Sequence, residues 1–337
     1  MPTMCTEMAQ KGFICINVEY RRGRAKDGHS RRSVQAVLAQ YRSSQDGRGA
    51  IRSIIQVERN AVSGAKFKID TTRIFLAGAS AGGLIVNTAA YYSKEMVAAA
   101  FPNFAGSPTI EQVLGPIDAD YYIGGPNIDF QPKILGVLDM WAGITMPLQY
   151  YTGANQADFF TDPLLFPPAN KPALISFQGY LDDVFHFTED DQQRTIFSHP
   201  PIAGHFNYNA TNACLLSGTG TYQVDTNRIT FDLFIGSSLN LYHILDGLNV
   251  LTELYVDCKM GHGVDDGDDF GTSLATQQLV WTYMVERTAV FFQSVMIHKT
   301  KTSLGNSLFI ECENTRDRCS HANDTCTNTL EFCVPLP

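Results

Sequence analysis

The chain has 337 residues, 44% apolar and 18% charged, which is enough apolar material for a sizeable core and rules out an intrinsically disordered chain. Lys and Arg number 25 against 34 Asp and Glu, so the net charge is −9 and no basic block is present. That balance argues against nucleic acid or anionic lipid as the main partner, and no zinc-finger or RNP-type pattern occurs.

In chain order, residues 2–10 read as a short helix with Gly12 as its stop. Residues 13–18 (Phe-Ile-Cys-Ile-Asn-Val) read as a buried, β-branched strand. Ser44 is placed to cap a second helix in which Ala50, Ile51, Ile54 and Ile55 share a face. A strand at 73–77 then runs into a glycine-rich turn and a helix of small residues. The apolar stretch 74–92 contains Gly78, Ser80, Gly82, Gly83, Asn87 and Thr88, so it reads as strand, turn and helix, with no membrane span. Further strands are expected at 134–140, 173–177 and 251–258, and helices at 238–248 and 275–298. In the last helix Val280, Met284, Phe291 and Val295 recur near helical spacing. Strands alternating with helices predict a mostly parallel sheet covered on both faces. Two Gly-, Pro-, Asn- and aromatic-rich insertions, about 101–133 and 186–229, are expected over the open end of that sheet, shaping a pocket.

From about residue 299 the composition turns polar, and Cys312, Cys319, Cys326 and Cys333 recur every seven residues. No pair has C-x-x-C spacing, so this tail (299–337) reads as disulfide-stapled rather than zinc-binding, with three pairings open. Residues 1–298 form the main domain. An oxidising compartment, secreted or periplasmic, is the expectation, although no signal peptide is visible at the N-terminus.

Gly78-Ala79-Ser80-Ala81-Gly82 matches G-x-S-x-G, and a strand precedes it while a helix follows. A sharp strand-to-helix turn exposes the serine and tolerates only small neighbours, and the helix N-terminus offers N–H groups to a developing oxyanion. A serine hydroxyl needs a base, and the base needs an orienter. His262 follows the strand at 251–258 between Gly261 and Gly263, which marks it as the base among eight histidines. Asp182, just beyond the strand at 173–177, is the first choice for the acid, with Asp183 next and Asp265 or Asp266 third. The acidic run 265–269 lacks the spacing of a calcium loop and reads as a solvated loop.

On these residues the chain resembles the α/β-hydrolase superfamily, in its esterase/lipase (carboxylesterase) branch, and is most similar to secreted bacterial feruloyl- and acetylxylan-esterase-like enzymes. The likeness spans about residues 4–298. It rests on Gly12-Phe13-Ile14 with Tyr20-Arg21, on Gln45-Asp46-Gly47-Arg48-Gly49-Ala50-Ile51-Arg52, on Ile69 to Ile74 leading into the serine motif, and on Gly179-Tyr180-Leu181-Asp182-Asp183-Val184, Gly236-Ser237 and Gly261-His262-Gly263. The resemblance implies an α/β-hydrolase fold with Ser80 as nucleophile, Asp182 as acid and His262 as base. It also implies the Ala81 N–H as an oxyanion donor and Trp141 to Gly143 facing the acyl or alcohol pocket. The implied activity is carboxylic ester hydrolysis through an acyl-enzyme, with no cofactor. The substrate would be a small or polymer-linked ester: aromatic, feruloyl, acetyl-sugar or polyester. The family's His-Gly-Gly loop is not found before Phe13, so the sheet is expected to lack its first strands. Either a truncated reading frame or another backbone completing the oxyanion hole would account for that. A prolyl-oligopeptidase-like peptidase and a non-catalytic hydrolase-fold binding protein are the alternatives; the first is disfavoured because no propeller-like repeat occurs.

Overall fold

The computed structural model describes residues 4–21, 32–60, 67–93, 111, 114–118, 133–147, 171–179, 182, 205–207, 223–225, 233–257, 260–263 and 274–298. The two insertions lie mostly outside these residues, and the cysteine tail lies wholly outside them, as do Asp183, Asp265 and Asp266.

Four strands form a parallel sheet in the order β1 (Ile74–Ala79), β2 (Ile134–Met140), β4 (Ala173–Gly179), β8 (Thr252–Asp257). Two short antiparallel pairs accompany it. One joins β3 (Gly143–Pro147) to β7 (Leu233–Ser237), and the other joins β5 (His205–Asn207) to β6 (Gln223–Asp225). Five helices are described: α1 (Met4–Gln10), α2 (Arg32–Arg59), α3 (Ala81–Tyr91), α4 (Ser238–Gly247) and α5 (Leu274–His298).

Strand periodicity divides the central sheet into two unlike faces. Leu138, Met140, Ile175, Phe177 and Tyr255 point to one side and pack with Val280, Met284, Val285, Phe291, Phe292 and Val295 of α5, with Met8 of α1 in the same cluster. Phe177 and Tyr255 stack with ring centroids 5.0 Å apart. The helical spacing expected in α5 is therefore its core face. Arg287 of α5 adds a polar fastening, donating from Nε to Glu253 of β8 over 3.0 Å. On the opposite face α3 covers β1 and β2, and α4 covers β4 and β8, so the sheet has helices on both sides.

Several sequence expectations need correction. Residues 13–18 are not a strand: they have no regular secondary structure, and Ile14, Ile16 and Val18 are 58%, 45% and 38% exposed. A strand exists only where its N–H and C=O groups find a neighbour. The described sheet ends at β1, against which the Phe13 ring of this segment packs edge-on to Phe75 at 6.2 Å. The second helix starts twelve residues before Ser44, which is fully buried in its interior and is not a cap. Cys5 and Cys15 lie at disulfide distance with Cα atoms 5.1 Å apart. This link ties α1 to the segment after Gly12, whose φ of 92° makes the turn. Among the described residues no helix is long and apolar enough to cross a membrane.

The residues 45–52 form a polar clasp. Asp46 accepts from the Arg21 backbone N–H at 2.8 Å and from its guanidinium Nε at 2.9 Å. The Gln45 amide donates to the carbonyls of Leu114 and Pro116 at 3.0 and 2.9 Å. Arg48 and Arg52 both bind the buried Asp118 carboxylate, at 2.7 and 2.9 Å, and Arg48 also donates to the Tyr92 carbonyl at the end of α3 over 2.9 Å. Three charges with little access to water depend on each other here. Removing the carboxylate takes the shared counter-charge from two buried guanidinium groups, a loss of about 3–5 kcal/mol for a pair of this kind. We expect Asp118→Ala to lower the denaturant midpoint sharply, measured by circular dichroism. The double replacement of Arg48 and Arg52 by Met alongside Asp118→Leu should recover much of the loss.

Candidate active site

The chain leaves β1 at Ala79 and enters α3 at Ala81, so Ser80 alone makes the turn. Its backbone sits at φ 52° and ψ −121°, a region that non-glycine residues occupy at a cost of roughly 1–3 kcal/mol. Two restraints hold it there. The Ser80 N–H donates to the Met140 carbonyl of β2 at 2.9 Å, and its own carbonyl accepts the first α3 bond from the Leu84 N–H at 3.2 Å. Gly78 is obligatory for the same turn, because a Cβ there would overlap the Gly82 carbonyl as α3 folds back over the strand. The N–H groups of Ala81, Gly82 and Gly83 belong to the opening turn of α3, where an α-helix has no internal acceptors for them.

The ends of β4 and β8 complete the site. After β4 the chain turns so that the Asp182 N–H donates to the Gly179 carbonyl at 3.3 Å. A side chain at Gly179 would collide with the carbonyls of Met260 and Gly261, so the end of β4 and the segment carrying His262 touch backbone to backbone. Gly263, at φ 112°, turns the chain directly after the histidine.

The structure brings together the three residues singled out from the sequence. Ser80 Oγ and His262 Nε2 are 2.7 Å apart, and His262 Nδ1 is 3.1 Å from each Asp182 oxygen. The Asp182 side chain is fully buried, whereas the His262 ring is 17% exposed. A carboxylate on Nδ1 keeps that proton in place and leaves the Nε2 lone pair aimed at the hydroxyl. Asp182 receives a second bond from the Gln178 amide Nε2 at 2.6 Å.

Trp141 follows β2 as Ser80 follows β1, with φ 38° and its N–H donating to the Phe177 carbonyl at 2.7 Å. It is 6% exposed and belongs to the apolar cluster shared with α5. The indole therefore packs into the core immediately beside the serine turn.

Sequence reasoning missed a polar set behind Asp182. Gln178 Oε1 lies 2.9 Å from Ser238 Oγ, and Ser238 Oγ lies 2.8 Å from Asp139 Oδ2. Asp139 is fully buried in β2, and loss of hydration pushes its carboxyl up to about 7, against the weaker opposing influence of the neighbouring polar side chains of Ser238, Ser176 and Asn87. The signal available was a lone acid in the apolar strand Ile-Leu-Gly-Val-Leu-Asp-Met. Among the described residues no group of three or more His, Cys, Asp or Glu side chains is arranged to hold a metal ion.

Because the carboxyl of Asp139 is raised in the folded chain, it favours folding while protonated. That contribution is complete below its ordinary value near 4 and disappears as pH rises towards about 7. Asp139→Asn removes the ionisation. Its stability relative to the parent should therefore climb between pH 4 and pH 8, by up to about 4 kcal/mol, in denaturant titrations across that range. A difference independent of pH would contradict the assignment.

Comparison of the chain with protein-family models, with curated proteins and with solved structures gives no match.

Proposed function

We propose that the chain is a serine hydrolase of the α/β-hydrolase type that cleaves carboxylic esters through an acyl-enzyme. The observation that carries this reading is the 2.7 Å contact between Ser80 Oγ and His262 Nε2, made by a serine on a strained strand-to-helix turn. Structural serines do not require such a turn, and a histidine oriented by a buried carboxylate is the group that makes a hydroxyl nucleophilic.

In the reaction, Ser80 Oγ attacks the ester carbonyl while His262 Nε2 takes the hydroxyl proton. The oxyanion develops beside the first turn of α3, where the Ala81 N–H donates to it and the helix dipole adds favourable potential. His262 then gives its proton to the leaving alcohol, and acyl-Ser80 remains. A water molecule, deprotonated by His262, attacks the acyl carbon; the acid departs and the proton returns to Ser80. Asp182 stabilises the transient imidazolium without becoming protonated. Trp141 is assigned to backing the acyl or alcohol pocket, since its backbone adjoins the serine turn while its indole packs in the core. The Cys5–Cys15 pair supports an oxidising compartment, secreted or periplasmic, as the setting.

A fluorophosphonate probe followed by peptide mass spectrometry tests the reading. Stoichiometric adduct on Ser80, together with turnover of p-nitrophenyl esters, is the expected result, and both should vanish in Ser80→Ala. That variant should keep its thermal midpoint or gain slightly, since alanine removes only a hydroxyl from the turn. Asp182→Asn should lower kcat by several orders of magnitude, about 10⁴-fold in comparable triads. An unlabelled Ser80 in folded protein would favour a non-catalytic binding role. Cleavage of prolyl peptides in preference to esters would favour the peptidase.

A further inference from the structure

The polar set behind Asp182 has too few hydrogens unless one of its acids is protonated. Ser238 Oγ carries a single hydrogen, yet three acceptors lie within bonding distance: Asp139 Oδ2 at 2.8 Å, Gln178 Oε1 at 2.9 Å and, more distant, the Ala142 carbonyl at 3.4 Å. The orientation of the Gln178 amide is fixed by its contact with Asp182. Its partner 2.6 Å away is an Asp182 oxygen, so the amide nitrogen must face that carboxylate and the amide oxygen must face Ser238. An amide oxygen can only accept, so the Ser238 hydrogen belongs to Gln178. The 2.8 Å contact between Ser238 and Asp139 then has a hydrogen only if Asp139 supplies it.

The surroundings agree. Among the described residues, the groups facing Asp139 are Ser176 from β4, at 3.4 Å, Ser238 from α4, and Asn87 and Tyr91 from α3, and none of these is cationic. The Asn87 amide nitrogen donates to the Gly143 carbonyl at 2.6 Å, and both Asp139 Oδ1 and Asn87 Oδ1 are buried without hydrogen-bond partners among the described residues. A carboxylate charge would find little compensation there.

We propose that Asp139 is a positioning residue that acts as a neutral acid. It donates to Ser238, Ser238 donates to Gln178, and Gln178 donates to Asp182, so that the carboxylate facing His262 is held by a one-way chain of hydrogen bonds. This rests on the reading of Ser80, His262 and Asp182 as a catalytic set. The direction of the chain matters. If Asp139 ionises, Ser238 turns its hydrogen towards the new charge, and the Ser238 link that helps hold the Gln178 amide against Asp182 is lost. The rise of the Asp139 carboxyl to about 7 places that change within an ordinary working pH range.

The variants Asp139→Asn, Asp139→Leu and Ser238→Ala separate the possibilities, each checked for folding by circular dichroism. Asparagine can donate from Nδ2 as the neutral acid does, but cannot ionise; leucine and alanine break the chain. The first readout is the proton NMR signal of the His262 Nδ1–H, assigned by its loss in His262→Gln, which needs no catalysis. In the parent it should be present at pH 6 and weaken above about pH 8. In Asp139→Asn it should persist at both, and in Asp139→Leu and Ser238→Ala it should be weak throughout. The second readout is the rate of Ser80 labelling by the fluorophosphonate. It should fall about 10- to 100-fold in the broken variants, and its alkaline decline should be absent from Asp139→Asn. If the signal is the same in all variants, or if Asp139→Asn behaves as Asp139→Leu does, the chain of donors is overturned. If the signal responds as expected but Ser80 never labels, the donor chain stands and the hydrolase reading falls. Should Asp139→Leu fail to fold, Ser238→Ala carries the same decision.

Discussion

A single residue at φ 52° lets a strand end and a helix begin without a loop between them. Much of the described site follows from that strained turn. It places a hydroxyl above the strand ends, where the two loops after β4 and β8 can reach it. It also aims the first N–H groups of α3 at the space beside that hydroxyl. The turn would relax if its ends were loose, and they are not. Its N–H is bound to β2, Gly78 lets α3 fold back over β1, and the far end of α3 is gripped by Arg48 through the Tyr92 carbonyl. The polar clasp of α2 thus acts on the site from a distance, by keeping the helix behind the serine from shifting along its axis.

Much of this was legible in the sequence because the relevant signals are local. A run of β-branched and apolar residues ending in Gly-x-Ser-x-Gly fixes strand, turn and helix in one stretch. The strand at 134–140 and the helices over 238–248 and 275–298 match β2, α4 and α5 to within a residue or so. His262 and Asp182 were found for the same reason: each stands just after a strand, next to a glycine or a turn.

The failures were non-local. Residues 13–18 have the composition of a buried strand, but strand formation is settled by a partner, and composition says nothing about where the neighbouring strand is. The early start of α2 is the local exception: Ser44 has a capping side chain, but it stands in the helix interior. The short strands β3 and β7 gave no signal of their own. Their pairing nevertheless has a consequence, because Gly143 stands opposite Ser237 and so sets Ser238 against Asp139. A serine nearly a hundred residues from its partner acid cannot be recognised from spacing.

The alternation along β2 and β4 also bears on how variants of this protein should be chosen. Leu138, Met140, Ile175 and Phe177 contact the apolar layer of α5, while Asp139, Ser176 and Gln178 form the polar layer on the other side. Adjacent codons therefore encode opposite chemistries. A saturation library over 138–140 or 175–178 should show a sawtooth of tolerance. On the α5 side it should accept shape-conserving hydrocarbons, and on the other it should accept only side chains that keep the count and direction of hydrogens.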